Sequence, residues 1–287
     1  MNEEPTGEQV PATTPDWAHS FGGVVDAYDR ARPTYPREAA AWLVGQDAAT
    51  VLELGAGTGK LTAQLADLGH DVVATDPDQA MLDRLSRNLP EVRTLEAHAE
   101  ELPVGDRAYD AVVAAQAFHW FDLDRALPEI ARVLKPGGRI GLVWNQRDES
   151  IPWVRRLGKI IGTQEQLDEP ALALTGSGLF GEVQEASFVH WQQVDRKSIQ
   201  DLVLSRSNVA VLDDAGRAAK LAEVVAFYDE YGRGMDGMQL PYITRCFRAA
   251  VLHRLDDGEP SDETTDEPSG RESSDGTDTD MLLIDFR

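Results

Sequence analysis

Apolar and polar residues alternate along residues 50–144 with two different periods. Short aliphatic and β-branched runs, which predict strands, cover 50–54, 71–75, 92–96, 109–114 and 139–144. Between them, apolar residues three or four positions apart predict helices over 60–68, 79–89 and 123–134. The fourth strand is apolar throughout its centre, as expected for a strand covered on both faces. This order predicts an α/β protein with a doubly wound, mostly parallel sheet and helices on both faces.

The pattern changes after residue 150. A helical stretch, a strand near 183–194, helices over 198–211 and 215–231, and a last strand near 242–251 are predicted. We interpret residues 16–255 as one domain, with a helical lead-in at 16–45 and a helical cap over 151–240. Residues 1–15 and 256–287 are predicted to be disordered tails. Positions 256–280 hold eleven acidic residues, one basic residue and no aliphatic or aromatic side chain, so they cannot bury enough surface to offset the entropy of ordering.

Charge and composition exclude several classes of partner. The net charge of −23 disfavours nucleic acids and anionic membranes, which require a basic surface. No apolar run has the length of a membrane span, and the first residues have neither part of a secretory signal. Cys246 is the single cysteine, so no internal disulfide is possible, and the histidines show no metal-ligand spacing. We therefore expect a cytoplasmic protein without a metal site, and we expect it to be a monomer or a homodimer.

A glycine-rich turn follows the first predicted strand, at Gly55, Gly57 and Gly59. Glycines allow a sharp turn and close approach of a ligand to the backbone, and the next helix directs its positive end there. A phosphate-binding P-loop would need Gly at position 54 and Ser or Thr at position 61, but both are Leu. A dinucleotide-binding turn would need Gly or Ala at position 60, where the chain has Lys60.

The third interpretation fits every position. The pattern Glu53-x-Gly55-x-Gly57-x-Gly59 resembles the first motif of class I S-adenosylmethionine-dependent methyltransferases. The resemblance implies a Rossmann-like sheet of seven strands with a helical insertion and an antiparallel C-terminal strand, and S-adenosylmethionine as cofactor. It implies that Glu53 attracts the amino group of the cofactor and that Asp76, ending the second strand, holds the ribose hydroxyls. The turn residues implied to contact the methionyl part and ribose are Gly55, Ala56, Gly57, Thr58 and Gly59.

Three further segments extend the resemblance. Residues 97–103 match the third motif of the family, which lines the adenine, and this implies contacts from Ala99 and Glu100. Residues 28–36 resemble the amino-terminal segment of type 11, trans-aconitate-methyltransferase-like enzymes, which folds over the cofactor through residues matching Tyr28 and Arg32. Residues 116–121 resemble the loop after the fourth strand in the same group, which implies a contact from Gln116. Residues 97–103 and 116–121, like the glycine turn and Asp76, follow strand ends, which share one edge of a parallel sheet.

The resemblance implies transfer of a methyl group to an O, N or C atom of a small molecule. His119 is the candidate general base because it titrates near neutral pH and follows the fourth strand; its alternative role is to shape a pocket wall. A carboxylate acceptor would need no base and could pair with Arg147, Arg30 or Arg32. Two other functions stay open at this point: an NAD-dependent oxidoreductase, and a non-catalytic relative that only binds the cofactor.

Overall fold

The computed structural model describes residues 29, 31–162, 170–205, 209, 212–231 and 237–252. Both predicted tails, and with them the predicted domain boundaries, lie outside the described residues. The seven strands are β1 Thr50–Leu54, β2 Asp71–Asp76, β3 Arg93–Glu96, β4 Tyr109–Ala115, β5 Leu134–Arg147, β6 Gln184–Val194 and β7 Met238–Ala250. They form one sheet in the order β3-β2-β1-β4-β5-β7-β6.

The direction of the strands confirms the predicted fold class. The pairs β3–β2, β2–β1, β1–β4 and β4–β5 are parallel, and β7 lies antiparallel between β5 and β6. Parallel strands need crossover connections, and the predicted helices supply them. The carboxyl ends of β1, β2, β4 and β5 therefore lie along one edge of the sheet.

The helices pack on both faces of this sheet. They are α1 Arg37–Val44, α2 Lys60–Asp67, α3 Gln79–Asn88, α4 Leu123–Val133, α5 Pro152–Ile161, α6 Pro170–Gly176, α7 Ser198–Leu204 and α8 Asp214–Tyr231. Helices α1 and α2 share one apolar core with the sheet, and α4 and α6 share another. A third core joins α5, α7 and α8 to β6 and β7. In the described part of the chain, no helix has the length and apolar character needed to cross a bilayer.

Strand β5 is longer at both ends than the sequence predicts. Leu134 pairs with Tyr109, and after an irregularity Arg139 pairs with Ala111. Residues 134–138 are therefore part of the strand, with Gly137 in the left-handed region at φ +78°. At the other end, residues 145–147 pair with β7. These residues are polar and give no local strand signal. They belong to the strand because their backbones pair with β7.

Candidate cofactor and active site

The three glycines of the turn after β1 lie in the left-handed region for different reasons. A Cβ on Gly55 would lie 2.5 Å from the Cβ of Ala117, so this glycine allows the turn to touch the loop after β4. A Cβ on Gly59 would lie 2.9 Å from Cγ of Leu85, so this glycine allows α2 to begin against α3. Gly57, at φ +56°, has nothing within 4 Å of that position. Only Gly57 of the three leaves open space beside the backbone, where a ligand can approach.

Glu53 is a fully buried acid and the penultimate residue of β1, just before the glycine turn. Its Oε2 accepts a hydrogen bond of 2.7 Å from the hydroxyl of Thr62. Its Oε1 is buried and has no hydrogen-bond partner among the described residues. Burial raises the pKa of Glu53 to about 8, opposed by the Thr62 bond and reinforced by the charge of Asp76. An unpaired buried carboxyl oxygen is costly, and a cation would relieve that cost.

Asp76, the last residue of β2, fixes the glycine turn to the neighbouring strand. Its Oδ2 accepts from the backbone N–H of Gly57, and its Oδ1 accepts from that of Asp78, both at 2.9 Å. Burial raises the pKa of Asp76 to about 6, although these two hydrogen bonds lower it. Each carboxylate oxygen can accept more than one hydrogen bond, so the two backbone contacts leave capacity for ligand hydroxyls.

A cavity opens between these groups and residues 31–36, a segment that we call the strap. Its wall is formed by the strap, the end of β1 with the glycine turn, the start of α2, and the ends of β4 and β5: Arg32, Pro33, Tyr35, Glu53, Gly55, Ala56, Gly57, Thr58, Lys60, Leu61, Ala115, Gln116 and Asn145. Gln116 adopts φ +57°, uncommon for a residue other than glycine. Its side-chain N–H donates to the backbone oxygen of Asn145 at 3.1 Å.

Lys60 explains why the turn departs from a dinucleotide-binding pattern. Its Nζ lies 3.1 Å from the carboxylate of Asp29, which also receives the guanidinium of Arg84 at 3.0 Å. Burial opposes ionisation of Asp29, but hydrogen bonds from Lys60, Thr58 and Arg84 and the charge of Lys60 lower its pKa. Lys60 thus ties Asp29, which precedes the strap, to the start of α2. The ion pair between Lys60 and Asp29 was not predicted from the sequence. Its one sign was a lysine at position 60, where a dinucleotide-binding turn has Gly or Ala.

The structure brings seven of the predicted cofactor residues together around the cavity: Arg32, Glu53, Gly55, Ala56, Gly57, Thr58 and Gln116. Asp76 joins them through its bond to the turn, and Gly59 packs against α3. Ala99 is buried after β3 and Glu100 accepts a 2.7 Å hydrogen bond from the backbone of Asp122. Neither of these two residues lines this cavity. Tyr28, like Arg30, lies outside the described residues.

The candidate base, His119, and one of the candidate acceptor arginines, Arg147, do not line the cavity. His119 belongs to a one-turn 3₁₀ helix over Phe118–Trp120, with its ring centroid 4.3 Å from that of Trp120. Arg147, at the end of β5, is 2% exposed. Its Nη2 donates to Glu149 at 3.1 Å and to the carbonyl of Gly162 at 3.0 Å. Among the described residues, no cluster of three or more His, Cys, Asp or Glu is arranged to hold a metal ion.

Comparison with known proteins agrees with this architecture. Residues 52–142 match the family model described as a methyltransferase domain. An uncharacterized methyltransferase of Mycobacterium tuberculosis (strain H37Rv) is 44% identical over 238 residues, which cover 82% of this chain and 97% of that protein. A solved structure from Anaeromyxobacter dehalogenans, assigned as a type II methyltransferase, is 25% identical with a TM-score of 0.54. That match covers 76% of this chain and 97% of the other.

A more distant structure shares the fold alone. It is phosphoethanolamine N-methyltransferase 2 of Haemonchus contortus, solved in complex with S-adenosyl-L-methionine. It is 15% identical with a TM-score of 0.50, and the match covers 84% of this chain and 61% of that one.

The sheet order, the acidic glycine turn and the second acid at the end of β2 define a methyltransferase of the Rossmann-like class. The chain belongs to the class I S-adenosylmethionine-dependent methyltransferase family, with the Mycobacterium tuberculosis protein as a relative over most of both lengths. The oxidoreductase alternative is therefore set aside. The sequence also left the trans-aconitate-like subgroup as an expectation, and it stays one.

Proposed function

We propose that this enzyme holds S-adenosylmethionine in the cavity beneath the strap and methylates a small molecule that carries a carboxylate. The observation that carries the cofactor position is the buried Glu53, which lines the same cavity as Gly57 and whose Oε1 has no hydrogen-bond partner among the described residues. When bound, S-adenosylmethionine supplies a methyl group activated by its sulfonium. The residues of this chain orient the reactants and exclude water, and such positioning can lower a barrier by about 7–11 kcal/mol.

The groups in the cavity fit that cofactor chemically. Glu53 offers a carboxyl oxygen to an ammonium group, and Asp76 offers two carboxylate oxygens to a ribose diol. Gly57 allows the ligand to lie against the backbone. Gln116 and the strap form the facing walls. Ala99 and Glu100 do not line this cavity. They are proposed to contact the adenine of the cofactor beyond it.

A pair of arginines supports a carboxylate acceptor. Arg32 lines the cavity, and Arg147 lies near enough for the charge of Arg32 to act on it. Burial lowers the pKa of Arg147, and the charge of Arg32 adds to this effect, although Tyr242 and Glu149 raise it. An anion close to both guanidinium groups would be favourable. A carboxylate nucleophile is already deprotonated at neutral pH, so His119 would act as a base only for other acceptors.

We place the reaction in the cytoplasm, because a chain with a single cysteine gains no disulfide in an oxidising compartment.

Two measurements test this proposal. Calorimetry with S-adenosylhomocysteine and with NAD is expected to show binding of the first and not of the second. Transfer of labelled methyl from S-adenosylmethionine is then measured over a panel of small carboxylic acids and their neutral amides. Product from acids alone is expected. Binding without product on any acid would contradict the proposed acceptor, and absence of binding would contradict the proposed cofactor site.

Asp76→Asn is expected to weaken S-adenosylhomocysteine binding about 10- to 150-fold. Hydrogen bonds to a charged group are worth about 1.5–3 kcal/mol, and the amide can no longer accept from both backbone N–H groups. Calorimetry at fixed pH measures this change. Asp71→Asn is the matched control, because Asp71 starts the same strand and pairs with Arg93 in an exposed position. Equal affinity of the Asp76 variant and the wild type would show that the ribose is held elsewhere.

Arg147→Gln is expected to raise KM for the acceptor at least about tenfold while the dissociation constant of S-adenosylhomocysteine stays within twofold. The physical reason is the loss of a positive charge close to the proposed carboxylate, whose other partner is Arg32. Arg155→Gln, on the exposed side of α5, is the control. An unchanged acceptor KM, or a neutral acceptor used equally well by both proteins, would refute a carboxylate-binding role for Arg147.

A further inference from the structure

A chain of side-chain hydrogen bonds runs across the sheet from the cavity to the outermost strand. Asn145 of β5 lines the cavity, and its Nδ2 donates to the carbonyl of Thr34 in the strap at 3.0 Å. Its Oδ1 accepts from the hydroxyl of Thr244 in β7 at 2.6 Å. The same hydroxyl oxygen lies 3.1 Å from Nδ1 of His190 in β6. The three strands β5, β7 and β6 are adjacent, so the contacts form one connected row.

The chemistry of these groups fixes the direction of every bond. A backbone carbonyl only accepts, so the amide nitrogen of Asn145 must face Thr34 and the amide oxygen must face Thr244. The hydroxyl of Thr244 has one hydrogen, which it donates to that oxygen. Its oxygen must then accept from His190, whose Nδ1 carries the hydrogen in this arrangement. The amide of Asn145 is therefore held in a single orientation by Thr244, and Thr244 in turn by His190.

The strap depends on these contacts for its position. Arg32, Pro33 and Tyr35 of the strap line the cavity, and the carbonyl of Thr34 between them is the group that Asn145 holds. A second amide, that of Gln192 in β6, donates to the carbonyl of Ala31 at 2.9 Å. Two side chains of the sheet, those of Asn145 and Gln192, thus hold the strap by hydrogen bonds to its backbone carbonyls. Asn145 is itself oriented by Thr244.

Thr244 itself is absent from the cavity wall and is completely buried. We infer that Thr244 is a positioning residue for cofactor binding, which orients Asn145 and so holds the strap against the cavity. This inference rests on the proposed cofactor site. The strap forms one wall of the cavity, and an Asn145 amide free to rotate would lose the bond that keeps the strap there. Binding would then have to order the strap, at a cost in affinity.

Thr244→Val, which keeps the shape and removes the hydroxyl, tests this role. The dissociation constant of S-adenosylhomocysteine, measured by calorimetry well below the melting temperature, is expected to rise about 5- to 20-fold, the scale of a buried acceptor left unpaired. Hydrogen exchange of the strap amides is expected to become faster. Thr244→Ser restores the hydroxyl, and its dissociation constant is expected within twofold of the wild type.

Thr50→Val is the control for loss of stability alone. Thr50 is the first residue of β1, and its hydroxyl contacts Asp110 and Lys135 at the amino ends of the parallel strands, away from the cavity. Its variant should therefore melt earlier without weaker binding. A Thr244→Val protein that binds as the wild type does, or a Thr244→Ser protein as weak as Thr244→Val, would overturn the inference. Failure of the wild type to bind would overturn the cofactor site as well.

His190→Phe provides a second test if Thr244→Val does not fold. His190 is only partly buried, and phenylalanine can keep the stacking on Tyr242 while removing the donor to Thr244. A rise of about 2- to 5-fold in the dissociation constant, with faster exchange in the strap, is expected from the loss of one hydrogen bond. An unchanged dissociation constant in this variant would overturn the positioning role.

Discussion

Replacing Glu53 by Gln is expected to stabilise the ligand-free protein above pH 8 and to weaken S-adenosylhomocysteine binding about 10- to 150-fold. The loss of affinity follows from removing a charge-assisted hydrogen bond to an ammonium group, worth about 1.5–3 kcal/mol. The gain in stability follows from the burial of Glu53, which raises its pKa to about 8 from a usual value of 4.5.

The sign of the pH dependence follows from that difference. The folded state holds the proton of Glu53 more tightly than the unfolded state, so the wild type loses stability as pH rises from about 4.5 through about 8. The Gln variant has no such proton, and its advantage in melting temperature should grow over this window. Cation binding needs the ionised acid, so wild-type affinity should rise toward pH 8 by at most about tenfold per pH unit.

Thermal melting and calorimetry between about pH 5 and about pH 9 check both parts. Glu38→Gln, an exposed acid in the first turn of α1, is the control and should change neither quantity. If the Glu53 variant binds with the same pH dependence as the wild type, the linked proton belongs to another group. If it melts earlier than the wild type at pH 8, Glu53 is better satisfied in the free protein than its unpaired Oε1 implies.

Gly57→Ala is expected to leave the protein folded but to weaken S-adenosylhomocysteine binding about 5- to 150-fold. The new methyl group meets no protein atom within 4 Å, so it enters the space proposed for the cofactor. Overfilling a packed site costs about 1–3 kcal/mol. The left-handed backbone at this position adds about 1–2 kcal/mol of lost stability. Calorimetry and denaturant unfolding separate these two effects.

Two other glycines provide matched controls for that experiment. Gly69, at φ +90° between α2 and β2, also has nothing within 4 Å of a new Cβ. Gly69→Ala should therefore lose similar stability and keep its affinity. Gly55→Ala should lose more stability than either, because its methyl group would overlap Ala117. Equal affinity of the Gly57 and Gly69 variants would mean that the cofactor does not lie against the turn.

The sequence predicted the parts of the fold and site that depend on neighbouring residues. Strands β1, β2 and β4 show continuous apolar runs, and the glycine turn follows the first of them. Glu53, Asp76 and Gln116 could be placed together because each lies at the end of a parallel strand, and such ends share one edge. That rule needs no knowledge of side-chain packing.

The other parts depend on residues distant in the chain. Thr244 meets Asn145, 99 positions away, only through the antiparallel register of β5 and β7, and no local pattern specifies that register. The three alternating glycines of the turn are also required for three different reasons. Only the packed structure shows that Gly59 yields to Leu85 while Gly57 faces open space. Spacing alone predicted a common role in ligand contact.

The two faces of the outermost strand, β6, have different surroundings. His190 and Gln192 point to the side that fastens the strap, whereas Val189 and Trp191, between them, are exposed. Because successive residues of a strand face opposite sides, substitutions at the exposed positions can accumulate without reaching the pocket. If the proposed role of the strap holds, substitutions at Val189 and Trp191 are expected to leave cofactor affinity unchanged, whereas substitutions at His190 and Gln192 are expected to weaken it.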